Sequence, residues 1–217
     1  MNTGANSYAV ADADATIITA LNGGAGLAGV QGATSIDGAA NAITLTAAGV
    51  ANLLAAAGDL AVTDALTVHS AAQVANLGTL SLFGGDGTIT FGADAGTSAY
   101  TVNLGTSVVT TINVLGDGNH NITAKAAVTE TFVFGDTDGG AFLQGLTTAD
   151  VVDLDAETAT DWNVVAEANA GAVAGAGDWF LGAGVLTYYS EISTAVESIA
   201  LVGVAGLVAS TDTFIIV

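Results

Sequence analysis

Short apolar segments that alternate with polar residues fill the middle of the chain, over residues 88 to 155. In each segment Ile, Val, Phe or Leu alternates with Thr, Asn or Gly, and Gly-Asp turns separate one segment from the next. Alternation with a period of two residues indicates a strand that buries one face. The pattern therefore predicts a mainly β protein.

The buried positions of successive predicted strands recur at a nearly constant interval. Ile89, Val102, Ile112, Ile122 and Phe132 follow one another at roughly ten to thirteen residues. Equivalent positions at such an interval are typical of a coiled chain in which one rung stacks directly on the next. We therefore expect a parallel β-solenoid or β-roll-like body.

The N-terminal part of the chain has a different pattern. Residues 16–21 predict a strand, and residues 46–58 predict a short helix that Thr46 caps and Gly58 ends. A second strand and short helix follow, with Ser70 as the cap of a helix over residues 71–77. This pair either repeats the first unit to cover an open end of the body or is unrelated to it. We expect a strand and short-helix region over residues 1–83 and a β-rich region over residues 84–217, joined in one continuous body.

The C-terminal part contains a predicted β-hairpin. Residues 178–190 alternate around a turn at Gly182 to Gly184. The chain then ends in several apolar residues, which is unusual because chain termini are usually polar and frayed.

The charge balance restricts the partners of the protein. The chain has 217 residues, 21 of them Asp or Glu, and Lys125 is its only basic residue, so the formal net charge is -20. Such a chain repels nucleic acid and anionic membrane surfaces. It also opposes self-association unless cations screen or bind the carboxylates, which indicates salty or calcium-rich surroundings. The longest apolar stretch near the end is too short to span a bilayer, so we expect no membrane insertion.

Several segments resemble the bacterial RTX class of calcium-binding proteins that type I secretion exports. FVFGDTDGG, LTTADVVDLDA and GDWFLGAGVLTYY are similar to the strands and Gly-Asp turns of the last part of such proteins. The ending resembles their uncleaved C-terminal secretion signal, in which an acidic residue precedes a few final apolar residues. The residues that would form this signal are Asp212, Phe214, Ile215, Ile216 and Val217.

The resemblance implies an extracellular or cell-surface location and recognition by the type I secretion machinery. The beginning of the chain has no basic segment followed by an apolar one, so we expect export without an N-terminal signal peptide. Without the resemblance, the same features would be those of a soluble cytoplasmic protein.

The glycine-rich turns are candidate calcium sites, although no complete RTX nonapeptide is present. Calcium takes six to eight oxygen ligands, and turns rich in Asp and Gly place carboxylates and carbonyls close together. The alternative is that Asp and Gly only form the turns. We expect Ca²⁺ as a cofactor, with these candidate ligands in order of preference: Asp136 and Asp138, then Asp86, Asp117, Asp153 and Asp155.

Other chemistry has little support in the chain. No nucleophile or metalloprotease motif occurs, and there is no Arg, so we expect no enzymatic activity. His69 and His120 are not at metal-binding spacing; heme capture would use a residue such as His120 or Tyr100. The alternating Thr and Asn residues are expected on outward faces, where they would contact ice, a polysaccharide, a neighbouring copy or only water. They are Thr88, Thr90, Thr101, Asn103, Thr111, Asn113, Asn121 and Thr123.

Together these features predict a secreted, self-assembling structural protein of the bacterial exterior that forms a filament, a biofilm matrix or a surface layer. Its main partner would be a copy of itself, and its assembly would depend on calcium. The alternative is a monomeric secreted module that binds ice, glycan or heme, and a third hypothesis is a secreted hydrolase.

Overall fold

A computed structural model defines the fold. It describes residues 8–68, 74–80, 84–92, 99–115, 119–126, 128–135, 141–154, 163–164, 173, 178–190, 194–210 and 213–217. The described helices are Asp14–Leu21 (α1), Leu27–Gln31 (α2) and Ala47–Leu54 (α3). None of them is long and apolar enough to cross a membrane. The described strands are Ala9–Asp12 (β1), Ser35–Gly38 (β2), Ala42–Leu45 (β3), Asp59–Leu60 (β4), Ala65–Val68 (β5), Val74–Thr79 (β6), Thr88–Phe91 (β7), Ala99–Asn103 (β8), Thr111–Val114 (β9), Asn121–Thr123 (β10), Thr131–Phe134 (β11), Phe142–Gln144 (β12), Val151–Asp153 (β13), Asn163–Val164 (β14), Asp178–Gly182 (β15), Val185–Ser190 (β16), Ala195–Leu201 (β17), Leu207–Ala209 (β18) and Thr213–Ile216 (β19).

The protein is mainly β, as its sequence pattern predicts, with parallel sheets and few helices. Sheet I has the strand order β18-β19-β13-β11-β9-β7-β5-β3, and sheet II has the order β14-β15-β16-β17-β12-β10-β8-β6. A third, three-stranded sheet has the order β1-β2-β4. From β5 to β13, consecutive strands of the chain alternate between sheets I and II, and the pairs within each sheet are parallel.

Because consecutive strands alternate between the two sheets, the observed stacking interval differs from the expected one. Ile89 pairs with Ile112 and Ile112 with Phe132 in sheet I, whereas Val102 pairs with Ile122 in sheet II. The paired residues are therefore 20 to 23 positions apart, about twice the predicted interval. The sequence pattern marks each strand but carries no information on which sheet receives it, so consecutive strands were wrongly expected to stack on each other.

Inward-facing side chains of both large sheets form one apolar core. Strands such as β7, β9 and β11 alternate half-exposed and buried residues along their length. The core extends from Ile17 in α1 to Ile216 in β19. Near its C-terminal end, Trp179 of sheet II meets Phe214 of sheet I edge to face, with their ring centroids 5.0 Å apart.

Helices cover the first strands of both large sheets. Helix α1 packs against β3, and α3 packs against β6. The predicted cap of α3 is confirmed, because the Thr46 hydroxyl accepts a hydrogen bond from the Gly49 amide at 3.1 Å. Short helices in the N-terminal half are therefore confirmed as well. A helix thus packs against the edge strand of each large sheet at this end, where unpaired strands would invite further pairing.

Three of the N-terminal predictions were wrong. Helix α3 ends at Leu54, with Ala55 as its C-terminal cap, rather than at Gly58. Residues 16–21 belong to α1, because Ile17, Ala20 and Leu21 fall on one helical face and bury it; this packing overrides the β propensity of the β-branched residues in the segment. The helix predicted over residues 71–77 lies partly outside the described residues, and its last four residues belong to strand β6.

Antiparallel strands close the C-terminal end. The predicted hairpin is confirmed, since β15 and β16 pair antiparallel from Trp179 opposite Tyr188 to Gly182 opposite Val185. The last strand, β19, pairs antiparallel with β13 and buries Phe214 and Ile216. The apolar chain ending is thus a strand of the core.

Truncation of Phe214 tests how strongly this last strand is integrated. We expect Phe214→Ala to lower the free energy of unfolding by about 3–5 kcal/mol, because it opens a cavity beside Trp179. Val217→Ala, at a side chain that is 59% exposed, should change it by less than about 0.5 kcal/mol. Urea unfolding followed by Trp fluorescence measures both. Phe214→Leu, with an expected cost below about 1.5 kcal/mol, remains measurable if the alanine variant does not fold. Equal losses in Phe214→Ala and Val217→Ala would contradict the burial.

Candidate functional site

Two of the predicted calcium ligands, Asp86 and Asp153, are among the described residues, and their surroundings differ. The Asp86 carboxylate accepts the backbone N–H of Thr88 at 2.8 Å, which forms the turn into β7. This is the ordinary turn-forming role of Asp. Asp153 is half-exposed in β13 and lies in register with Val133 and Thr213.

The other predicted ligands, Asp117, Asp136, Asp138 and Asp155, lie outside the described residues, as do His69 and Asp212. Within the part of the chain that the structure describes, no three His, Cys, Asp or Glu side chains are grouped to hold a metal ion. The calcium sites therefore stay predictions.

The residues that resemble a secretion signal are partly hidden in the folded protein. Phe214 and Ile216 point into the core, whereas Ile215 and Val217 are on the surface of sheet I. The apolar character of Phe214 and Ile216 thus has a structural role in the fold.

The two candidate heme ligands belong to the core. The Tyr100 ring stacks on Phe91 and His120, with centroid distances of 5.1 and 5.4 Å. The Tyr100 amide donates to His120 Nδ1, and its hydroxyl donates to the Val68 carbonyl, both at 3.3 Å. Both side chains are buried, so neither faces solvent as a heme ligand at a surface site would.

A buried charged cluster, which the sequence pattern does not reveal, surrounds the single lysine. Lys125 Nζ donates to the carbonyls of Ser107, at 3.1 Å, and of Val109, and it lies 3.9 Å from Glu130 Oε1. The other carboxylate oxygen of Glu130 accepts the Lys125 amide at 2.7 Å. The ammonium group thereby offsets part of the cost of burying a carboxylate.

Buried acidic residues occupy equivalent places before strands of sheet I. Asp64, Glu130 and Asp150 directly precede β5, β11 and β13, and all three are buried. Asp64 accepts the Gly38 amide at 3.1 Å, and Asp150 accepts the Glu130 amide at 2.8 Å. Each carboxylate thus accepts a backbone N–H group of another segment and joins that segment to the start of its own strand.

Burial raises the pKa values of two of these acids. Burial raises the pKa of Asp64, against the lowering effect of the Gly38 hydrogen bond. Burial also raises the pKa of Glu130 to about 7, and this outweighs the lowering by the Lys125 amide and ammonium groups. The nearby Asp150 charge adds to the increase.

The outer faces of the two large sheets lack charge over most of their length. None of the strands β3 and β5 to β12 contains a charged residue. The predicted outward positions of Thr and Asn are confirmed, since all eight are half-exposed or exposed. They form two ladders rather than one, because Thr88 stacks on Thr111 in sheet I while Thr101 stacks on Asn121 in sheet II.

Apolar side chains cover the outer face of sheet II near its C-terminal end. Phe142, Ala200 and Val185 lie in register across three strands, and Phe142 and Val185 are 41% and 36% exposed. The ring of Phe180 lies over Gly182, beside Val185. We call these four residues, Phe142, Phe180, Val185 and Ala200, the Phe142 patch.

A second apolar patch lies on the outer face of sheet I. Val151, Ile215 and Val208 lie in register there, and the last two are 36% and 52% exposed. Val217 continues the same row of outward residues. We call Val151, Val208, Ile215 and Val217 the Ile215 patch. Since sheets I and II share one core, the two patches face away from each other.

Comparison with known proteins gives no family for this chain. No protein-family model, no curated protein and no solved structure matches it.

The buried Glu130 predicts a pH-dependent stability. Its pKa of about 7 in the folded protein exceeds the value of about 4.3 in an unfolded chain. Its contribution is therefore fully present below about pH 4.3 and is lost as the pH rises through about 7. At about 1.4 kcal/mol per pKa unit, the full loss is on the order of 4 kcal/mol.

Glu130→Gln removes the titration and keeps an oxygen that accepts the Lys125 amide. As the pH rises from about 4 to about 8, the wild type should lose stability that the variant keeps. We expect the difference in free energy of unfolding between them to shift by about 3 kcal/mol in favour of the variant. Asp59→Asn removes the same charge at an exposed position and should show no such gain. Urea unfolding at each pH measures the difference, and a constant difference for Glu130→Gln would contradict the prediction.

Proposed function

We propose that this protein is a secreted structural protein of the bacterial exterior that assembles with copies of itself into a filament, matrix or surface layer. The observation that carries the proposal is the pair of apolar patches on opposite faces of one strongly acidic body. Contiguous apolar groups at a surface favour association because their contact removes them from water. The resemblance of the chain ending to a type I secretion signal supports the location.

We further propose that the body is a parallel β-solenoid with two strands in each turn. The alternation of consecutive strands between two sheets and the pairing interval of 20 to 23 residues support this architecture. Helices cover one end and antiparallel strands occupy the other, as terminal units of such a coil must. Assembly by lateral contact of the sheet faces is therefore favoured over addition of strands at the ends.

The two patches differ in sequence and in sheet, so the proposed contact is heterologous. The Phe142 patch of one copy would pack on the Ile215 patch of the next. A heterologous contact that does not close into a ring generates an open filament, and lateral contacts between filaments would give a layer.

The charge of the chain makes this assembly dependent on cations. Each copy carries a net charge of -20, and its only lysine is buried and paired with Glu130. No surface lysine or arginine is thus available to pair with the carboxylates of a second copy. We propose that calcium bound at the glycine-rich turns relieves the repulsion, with Asp136 and Asp138 as the first candidate ligands.

Export by the type I secretion machinery would precede folding. Phe214 and Ile216 of the proposed signal are buried in the folded protein, so a receptor that reads them needs the unfolded chain. Calcium outside the cell would then favour both the folded state and assembly.

A calcium titration tests the proposal. We expect light scattering and electron microscopy to show ordered assemblies as calcium rises from zero to about 10 mM, above the about 10⁻⁴–10⁻³ M range typical of extracellular calcium modules. A chelator should reverse the assembly. A folded protein that stays monomeric at every calcium and protein concentration would make self-assembly wrong.

Paired variants test the proposed contact. Phe142→Asp and Val208→Asp should each prevent polymerisation, and an equimolar mixture should form dimers and nothing longer, because each variant retains the patch that the other lacks. Thr101→Asp adds the same charge to sheet II outside the patch and should polymerise normally. Sedimentation velocity in calcium measures the species. Dimers of Phe142→Asp alone would contradict a heterologous contact, and normal polymers of either patch variant would exclude its patch.

A further inference from the structure

The outer face of sheet I carries a regular array of hydroxyl groups. The array lies between the β3 edge, against which α1 packs, and the Ile215 patch. The array spans five strands, β3, β5, β7, β9 and β11, in two ranks: one rank crosses the first four strands and the other crosses the last three. One rank places Thr44 beside Thr67, Thr67 beside Thr90, and Thr90 beside Asn113. The other rank places Thr88 beside Thr111 and Thr111 beside Thr131. We call these seven residues, Thr44, Thr67, Thr88, Thr90, Thr111, Asn113 and Thr131, the threonine face.

The threonine face repeats in two directions. Neighbouring strands are about 4.8 Å apart, and outward residues along one strand are about 6.6 Å apart. The four strand pairs keep their register without a shift, whereas the β6–β8 pair of sheet II shifts between Asn76 and Gly78. Threonine is restricted in χ1, and Asn113 Nδ2 donates to Thr90 Oγ1 at 3.1 Å. The hydroxyl positions are therefore largely set before any partner binds.

The chemistry of the face selects an uncharged partner. The chain has 21 acidic residues, yet none lies on these five strands, and the aromatic residues of the strands, among them Phe91, Phe132 and Phe134, point into the core. Each hydroxyl both donates and accepts hydrogen bonds. A face without charge or aromatic platform is poorly suited to an ionic ligand or to the stacking of sugar rings.

We propose that the threonine face binds ice. The water molecules of an ice surface are uncharged, donate and accept hydrogen bonds, and repeat in two dimensions, as the seven side chains do. Ordered water along the hydroxyl ranks would join the lattice, and the threonine methyl groups would fill the spaces between the ranks. The inference is independent of self-assembly, because it uses strands that precede both apolar patches.

Partition into slowly grown ice tests this proposal in chelator, where the proposed calcium-dependent assembly does not form. We expect the wild-type protein to be enriched in the ice fraction over an inert reference protein, measured by Trp and Tyr absorbance after melting. Thr111→Lys places a long charged side chain among Thr88, Thr131 and Asn113 and should lower enrichment to the reference level. Thr101→Lys makes the same change on sheet II and should leave enrichment unchanged.

The outcomes separate ice from other partners. Exclusion of the folded wild-type protein from ice would overturn the proposal, and so would equal effects of the two lysine variants. Retention on crystalline cellulose or chitin together with exclusion from ice would assign the face to a polysaccharide. Circular dichroism checks that each variant is folded, and Thr90→Lys provides a second variant of the same face if Thr111→Lys does not fold.

Discussion

In-register parallel pairing is the constraint on which the rest of this structure depends. Because outward and inward residues alternate along a strand, a shift by one position would turn the whole apolar face of that strand to solvent. The pairs Ile89–Ile112 and Ile112–Phe132 show the register that avoids this. The same register stacks every outward residue on its counterpart at about 4.8 Å. The core and the surface ladders are thus set by one geometric rule.

This rule also explains where the charges lie. Carboxylates on successive strands at one outward position would stack at about 4.8 Å and repel one another. Strands β3 and β5 to β12 accordingly carry no charge, and Asp64, Asp86 and Asp150 lie in connections before strands of sheet I, where they accept backbone N–H groups. Glu130 and Asp150 are two acidic residues that the fold does bring close together. Lys125 and the surrounding backbone amides offset the repulsion between them.

The local pattern predicts strands and faces well and predicts long-range partners poorly. The alternation around Ile112 or Phe132 identifies the inward residues, and the cap at Thr46 identifies α3. The sheet that the next strand joins depends on how far the intervening turn carries the chain. The two-residue alternation of apolar and polar positions does not encode that distance. The Lys125 cluster depends on the same distance, since Ser107 and Val109 lie between β8 and β9 whereas Lys125 lies between β10 and β11. Glu130 and Asp150, 20 residues apart before paired strands, are the signal that would have revealed it.

One rank of outward residues on sheet I changes from hydroxyl to hydrocarbon along its length. Thr88, Thr111 and Thr131 are followed by Val151, then Ile215 and Val208, in continuous register. The change falls at β13, where parallel pairing gives way to antiparallel pairing with β19. Hydroxyl groups keep water at the first part of the face, because removing them from water without a partner is costly. The aliphatic side chains of the second part gain by leaving water. One sheet therefore offers a wet surface suited to ordered water and a dry surface suited to another protein, and the calcium dependence that we propose for the second lets the two be studied apart.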